Sequence, residues 1–167
     1  MYTMPRNHNE INNMLPPLLY NGVEVVFAGT EPGTESQRIG HYYAGKNNSF
    51  YRDLHEADWT ETIYTSERDQ ELCRKYGIGF DDVYHDKQAL ATRLENYRPR
   101  VVCFNSKEAL ERFSDTSVRI PWVGAYASHY ASFSWNPIVW ALCDSSARAR
   151  RYHQRRIKLL KELLSKI

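Results

Sequence analysis

The chain reads as an α/β protein: a three-layer α/β/α sandwich around a central, mostly parallel four-stranded sheet. Two observations carry that reading. Residues 23–29, 101–104 and 138–143 are almost wholly apolar, as strands covered on both faces must be. Helical spacings fill the stretches between them, and strands alternating with helices build parallel sheets. At 167 residues the chain forms one domain with a sizeable core. We place that domain at 18–167, preceded by a polar arm at 1–17 that ends in Leu-Pro-Pro.

The elements follow in order. Strand 23–29 breaks at Gly29 and leads into a long Gly-containing loop over 30–47, a length that in compact domains usually serves function. Asn48 is a good N-cap for a helix to about Ala57, with Phe50, Leu54 and Ala57 on one face. Residues 67–76 look helical, and a turn with a short extended piece occupies 77–83. The spacing predicts a further helix over 87–97, which carries Leu90 and Leu94 and stops before Pro99. Strand 101–104 ends at Asn105 and a short helix covers 107–113. Residues 121–135 alternate poorly and fit a strand with a hairpin. The last central strand, 138–143, breaks at Asp144-Ser-Ser-Ala and enters a basic helix with Ile157, Leu160, Leu164 and Ile167 as its buried stripe.

Composition excludes several classes. Hydrophobic residues make up 42% and charged residues 25%, ordinary for a globular protein, and no run is long and apolar enough to span a bilayer. No secretory signal pattern opens the chain, so a cytoplasmic protein, or a nuclear one in a eukaryote, is expected. Cys73, Cys103 and Cys143 are odd in number and lack a Cys-x-x-Cys pair, so they read as reduced core thiols. The six histidines have no partner at metal-ligand spacing, so no metal and no cofactor are assigned. The Gly29-to-Gly33 turn is neither a Walker loop nor a dinucleotide fingerprint. His129 stands in the irregular stretch as a lesser candidate.

The net charge of +2 hides an asymmetry. Residues 148–167 hold five arginines, three lysines and one glutamate, which leaves about −5 for the rest. A basic C-terminal segment on a mildly acidic body suits an anionic polymer, although a solvated helix face is the plain alternative.

The densest local signal is Val-Glu-Val-Val-Phe-Ala-Gly-Thr-Glu-Pro-Gly at 23–33. It places the carboxylate of Glu31 just past the carboxyl end of a buried strand, where open α/β sheets bind ligands. Pro32 fixes φ beside the acid. Glu31, Asn105 and Asp144 each follow a predicted strand, so all three are expected on one edge.

The order of these pieces resembles the uracil-DNA glycosylase superfamily, closest to its mismatch-specific uracil/thymine branch. Strand-Gly-Thr-Glu-Pro-Gly is similar to the family's strand-Gly-x-Asn-Pro-Gly. Gly40-His-Tyr-Tyr-Ala-Gly-Lys-Asn-Asn-Ser-Phe-Tyr is similar to its aromatic segment followed by Asn-x-Phe-Trp, and also looks like a hypoxanthine-directed branch. Arg98-Pro-Arg-Val-Val-Cys-Phe-Asn-Ser-Lys-Glu-Ala resembles the third strand and its turn. Trp140-Ala-Leu-Cys-Asp-Ser-Ser-Ala-Arg-Ala-Arg sits where the family has its Asn-Pro-Ser or His-Pro-Ser loop.

That resemblance implies an enzyme that extrudes a nucleotide from duplex DNA and hydrolyses the N-glycosidic bond of a deaminated or mismatched base. Tyr43 would stack on the base, with Thr30, Asn48 and Asn105 around it. Glu31 would position or activate water, with Asp144 as the second catalytic group. Ser145, Ser146, Arg148, Arg150 and Arg151 would bind the DNA, with Arg148 as a wedge. A monomer is expected. Glu31 in place of Asn, and Asp144 in place of Asn or His, add negative charge. Three readings follow from that charge: a base other than uracil, one acid protonated in the pocket, or an activity that is weak or lost. A catalytically silent nucleic-acid-binding module and a nucleoside or nucleotide hydrolase are the competing functions. Each residue also has a plainer role: a capping acid for Glu31, loop packing for Tyr43, a turn for Asn105, an arginine pair for Asp144, and a surface position for Arg148.

Overall fold

The computed structural model describes residues 14–119 and 123–167. Four strands, β1 (Val25–Gly29), β2 (Ile78–Asp82), β3 (Val101–Phe104) and β4 (Ile138–Ala141), form one sheet in the order β2-β1-β3-β4 with every pair parallel. Six helices accompany them: α1 (Thr34–Ile39), α2 (Phe50–Glu56), α3 (Asp69–Tyr76), α4 (Lys87–Tyr97), α5 (Lys107–Ser114) and α6 (His153–Leu164). This is the expected three-layer α/β/α architecture, and its sheet is wholly parallel.

Side chains on a strand alternate between faces, and two separate cores result. Val25, Phe27, Val101, Cys103 and Trp140 face a cluster with Phe50 and Leu54 of α2, Leu72 of α3, and Ile157 and Leu160 of α6. Val26, Ala28, Val102, Phe104, Val139 and Ala141 face Leu90 and Leu94 of α4 and Ala109 and Leu110 of α5. Helix starts are set locally: Asp86 accepts from Ala89 N at 2.9 Å ahead of α4, and Ser106 from Ala109 N at 3.1 Å ahead of α5. All three cysteines are free and buried. No helix among the described residues is long and apolar enough to cross a membrane.

Several expectations are corrected. The 77–83 piece is a full strand, β2, which supplies the fourth member of the sheet. Its alternation is masked by Gly79, where a Cβ would meet Leu18 O at 2.8 Å and Val23 Cγ2 at 2.9 Å as the N-terminal segment crosses over. The 30–47 loop contains α1, a helix too short to show a periodic face. Over 123–135 the described residues form a 3₁₀ turn, Ala125–His129, and a single antiparallel bridge from Gly124 to Ala141. Positions 120–122 of that stretch lie outside the described residues. The basic segment opens as a 3₁₀ turn, Ala147–Tyr152, before α6. The buried face of α6 carries Arg156, Ile157, Leu159, Leu160 and Leu163, whereas Leu164 is half-buried and Ile167 is exposed. Residues 1–13 of the arm are outside the described residues. Leu15 is buried and its N–H donates to Tyr84 Oη at 3.0 Å.

Candidate active site

A parallel sheet ends all its strands on one edge, so the residues that follow them must meet there. Val83 N donates to Gly29 O at 2.8 Å, Tyr84 N to Thr30 O at 2.7 Å and Asn105 N to Ala28 O at 2.8 Å, which locks the strand ends together. A cavity of about 400 Å³ opens over that edge. Thr30 and Glu31 after β1, Asn105 after β3, and Asp144, Ser145, Ser146 and Arg148 after β4 all line it. Tyr43 and Asn48 reach it from the loop between α1 and α2. Arg150 and Arg151 do not. Arg150 lines a neighbouring cleft of about 390 Å³, and Arg151 lies 4.7 Å over the Tyr152 ring. His129 is exposed, bonds Tyr126 O and lines neither space.

Tyr43 stacks on Phe50 with centroids 3.9 Å apart and planes 9° from parallel. Its hydroxyl is buried and has no hydrogen-bond partner among the described residues. Asn48 lies one position before the N-cap, Ser49, yet its Oδ1 accepts from Phe50 N at 3.0 Å, so it covers the first helical N–H. Asn105 is 4% exposed: its Oδ1 accepts from Arg156 Nη2 at 2.8 Å and its Nδ2 donates to Ser145 Oγ at 3.3 Å.

The two acids singled out from sequence stand at the rim. Glu31 Oε1 accepts from Arg112 Nη2 at 3.1 Å, and Arg112 also binds Glu108 and the carbonyl of Tyr84. Asp144 turns back on its own loop, accepting from Ser146 N at 3.0 Å and Ser146 Oγ at 2.7 Å. The buried acid of the cavity is one that sequence reasoning missed. Asp82, the last residue of β2, lines the cavity at 3% exposure, and its Oδ2 has no hydrogen-bond partner among the described residues. Burial pushes its pKa up to about 8, with help from the charges of Asp81 and Glu31. Asp81 points the other way, into a 2.7 Å ion pair with Arg93 Nε. Recognising 78–82 as a strand would have placed Asp82 beside Glu31, Asn105 and Asp144.

The second cleft shares Asp144 and Ser146 with the first and is also lined by Arg52 and His153. Arg52, Arg148 and Arg150 are exposed and form no ion pair among the described residues. No group of His, Cys, Asp and Glu among the described residues could hold a metal ion.

The family model of the uracil DNA glycosylase superfamily matches residues 17–167. Among solved structures, that of a candidate uracil DNA glycosylase from Methanosarcina acetivorans, determined in solution, superposes with a TM-score of 0.60 at 19% identity. The match covers 92% of this chain and 98% of that one, and it is a likeness of fold.

Proposed function

Because the chain belongs to the uracil DNA glycosylase superfamily, we propose that it hydrolyses the N-glycosidic bond of a deaminated or mismatched base flipped out of DNA. The observation that carries this reading is the meeting of four strand ends in one cavity beside three guanidiniums, Arg52, Arg148 and Arg150, that form no ion pair among the described residues. A flipped base enters the cavity and lies against the ring of Tyr43, whose other face rests on Phe50. On the cavity floor a protonated Asp82 offers one donor and one acceptor to the base edge. That set suits a base edge with adjacent N–H and C=O, as in uracil, thymine and hypoxanthine.

With the base held inside, the sugar sits at the rim beside Glu31. The bond from C1′ to the base nitrogen breaks and its electron pair leaves with the base. Positive charge develops on the sugar, and a carboxylate there stabilises it. Water adds to C1′, and Glu31 takes its proton. The Asp144–Ser146 turn, stiffened by its own hydrogen bonds, presses on the strand with Arg148 as the wedge. Arg52 and Arg150 take up neighbouring phosphates.

The test uses labelled duplexes carrying uracil, thymine opposite guanine, hypoxanthine or xanthine, with abasic sites then cleaved by alkali. Cleavage of at least one duplex, slowed about 10²–10⁴-fold in Glu31→Gln, is expected. DNA binding without cleavage of any duplex would reduce the protein to a binding module, and turnover of free nucleosides without DNA affinity would replace the substrate class.

A further inference from the structure

Behind the cavity lies a charged group that the reaction above does not use. Arg156 of α6 is 1% exposed, and its guanidinium is shared among three segments of chain. Nε donates to Asp53 Oδ2 of α2 at 2.6 Å. Nη1 donates to the carbonyls of Cys143 at 2.6 Å and Asn105 at 3.3 Å, the residues just past β4 and β3. Nη2 donates to the side-chain Oδ1 of Asn105 at 2.8 Å. Asp53 is itself fully buried and accepts from Ser49 Oγ at 2.8 Å, and Ser49 N donates to Ser145 O at 3.0 Å.

We propose that Arg156 is a positioning residue: it fixes the Asn105 amide so that the NH₂ end, not the carbonyl, is turned toward the cavity. The reasoning is one of donors and acceptors. A guanidinium only donates, so the atom of Asn105 that meets it must be the oxygen. Nδ2 therefore lies on the other side, where one of its hydrogens goes to Ser145 Oγ and the second has no acceptor among the described residues. That second hydrogen faces the place where, on the function proposed above, a base carbonyl arrives and negative charge builds as the base leaves. An amide turned the other way would set an oxygen against that charge. Lysine would keep the charge of Arg156 but not the fork that reaches Asp53, two carbonyls and the amide together. The same fork fixes the Asp144–Ser146 turn from behind, through the Cys143 carbonyl.

The inference rests on the glycosylase reading, so its test has one arm independent of catalysis. In the free protein, NMR relaxation of the Asn105 side-chain NH₂ pair is expected to give a high order parameter, like that of rigid backbone, and Arg156→Lys to lower it. In single turnover, Arg156→Lys should lower the excision rate by at least about tenfold with affinity for abasic DNA held within about threefold. Asn105→Asp keeps an oxygen for Arg156 and replaces only the donor, so it should lose rate to a similar degree while staying folded. Full activity in Asn105→Asp, or an unchanged amide pair and rate in Arg156→Lys, overturns the proposal. So does a parallel loss of rate, affinity and melting temperature, which marks a purely structural role. If the unaltered protein excises nothing, the glycosylase reading fails, while the NMR arm still decides how the amide is held.

Discussion

Gly29 and Asp82 stand opposite each other on the β1–β2 ladder, and a Cβ built on Gly29 would lie 2.6 Å from Asp82 Oδ1. The same Cβ would be 3.6 Å from the Tyr43 hydroxyl, so the glycine makes room for both oxygens on the cavity floor. Asp82 is buried and cannot swing clear. Gly29→Ala is therefore expected to destabilise by about 1–3 kcal/mol through overpacking and to suppress excision. Gly33→Ala, where nothing lies within 4 Å of the new Cβ, is the control and should stay within about 0.5 kcal/mol. Chemical denaturation of the two variants checks both.

The raised pKa of Asp82 fixes the sign of a pH effect. An unfolded aspartate ionises near 3.8, whereas the native one ionises at about 8. Between those values the unfolded chain has released a proton that the native state still holds, so rising pH favours unfolding, by up to about 1.4 kcal/mol per pH unit. Below pH 4 and above pH 8 this group adds no slope. Asp82→Asn should then gain stability over the unaltered protein progressively from pH 4 to 8 and hold that gain above. Urea unfolding at pH 5 and pH 8 measures it, and a difference independent of pH refutes it.

Most of the scaffold is legible from residue patterns, because strands buried on both faces leave runs such as Val25–Gly29 that resist other readings. The same logic found Glu31, Asn105 and Asp144, each just past such a run, and the structure brings all three to one cavity. β2 escaped because Ile-Gly-Phe-Asp-Asp carries two carboxylates in five buried residues. Only tertiary structure accounts for them: Arg93 neutralises Asp81, and burial pushes the Asp82 pKa up. Arg156 was hidden differently, since a lone inward arginine in a helix rich in outward cations leaves no trace in a charge count. Its partners, Asp53 and Asn105, lie 103 and 51 residues away along the chain.

Removing the rim carboxylate separates chemistry from binding. Glu31 is 43% exposed and pairs with Arg112, which is 24% exposed, so Glu31→Gln should leave stability within about 0.5 kcal/mol. Excision should fall about 10²–10⁴-fold, the range for loss of a general base. Affinity for abasic duplex should hold or rise, because one negative charge leaves the DNA-facing rim. Single-turnover rates and fluorescence anisotropy resolve the two quantities, and unchanged excision would remove Glu31 from the mechanism.

Arg52, Arg148 and Arg150 are assigned to the DNA on charge and position, and salt dependence reports on that directly. Each arginine that contacts a phosphate should contribute about 0.9 to the slope of log affinity against log salt. The triple alanine variant is expected to flatten that slope by roughly 2–3 and to weaken binding to damaged and undamaged duplexes alike. Arg148→Ala alone should also slow excision, since a wedge acts on flipping as well as on affinity. An unaltered slope in the triple variant would place the duplex on another face.

The Tyr43 hydroxyl tests whether the cavity floor is built for a ligand rather than for the free protein. It is buried without a hydrogen-bond partner among the described residues, and such a group costs about 1–3 kcal/mol. Tyr43→Phe keeps the ring and its stacking on Phe50 and removes only the orphan oxygen, so the free protein should melt higher. The backbone at this position has a φ of 55°, a strain that Tyr and Phe share, so it cancels in the comparison. If the hydroxyl serves a bound base, excision by Tyr43→Phe should fall through a raised KM while thermal stability climbs. If the hydroxyl only fills space, stability rises with no kinetic change; a drop in both would mean that it bonds within the free fold. Thermal melts beside steady-state kinetics on the best duplex discriminate among the three outcomes.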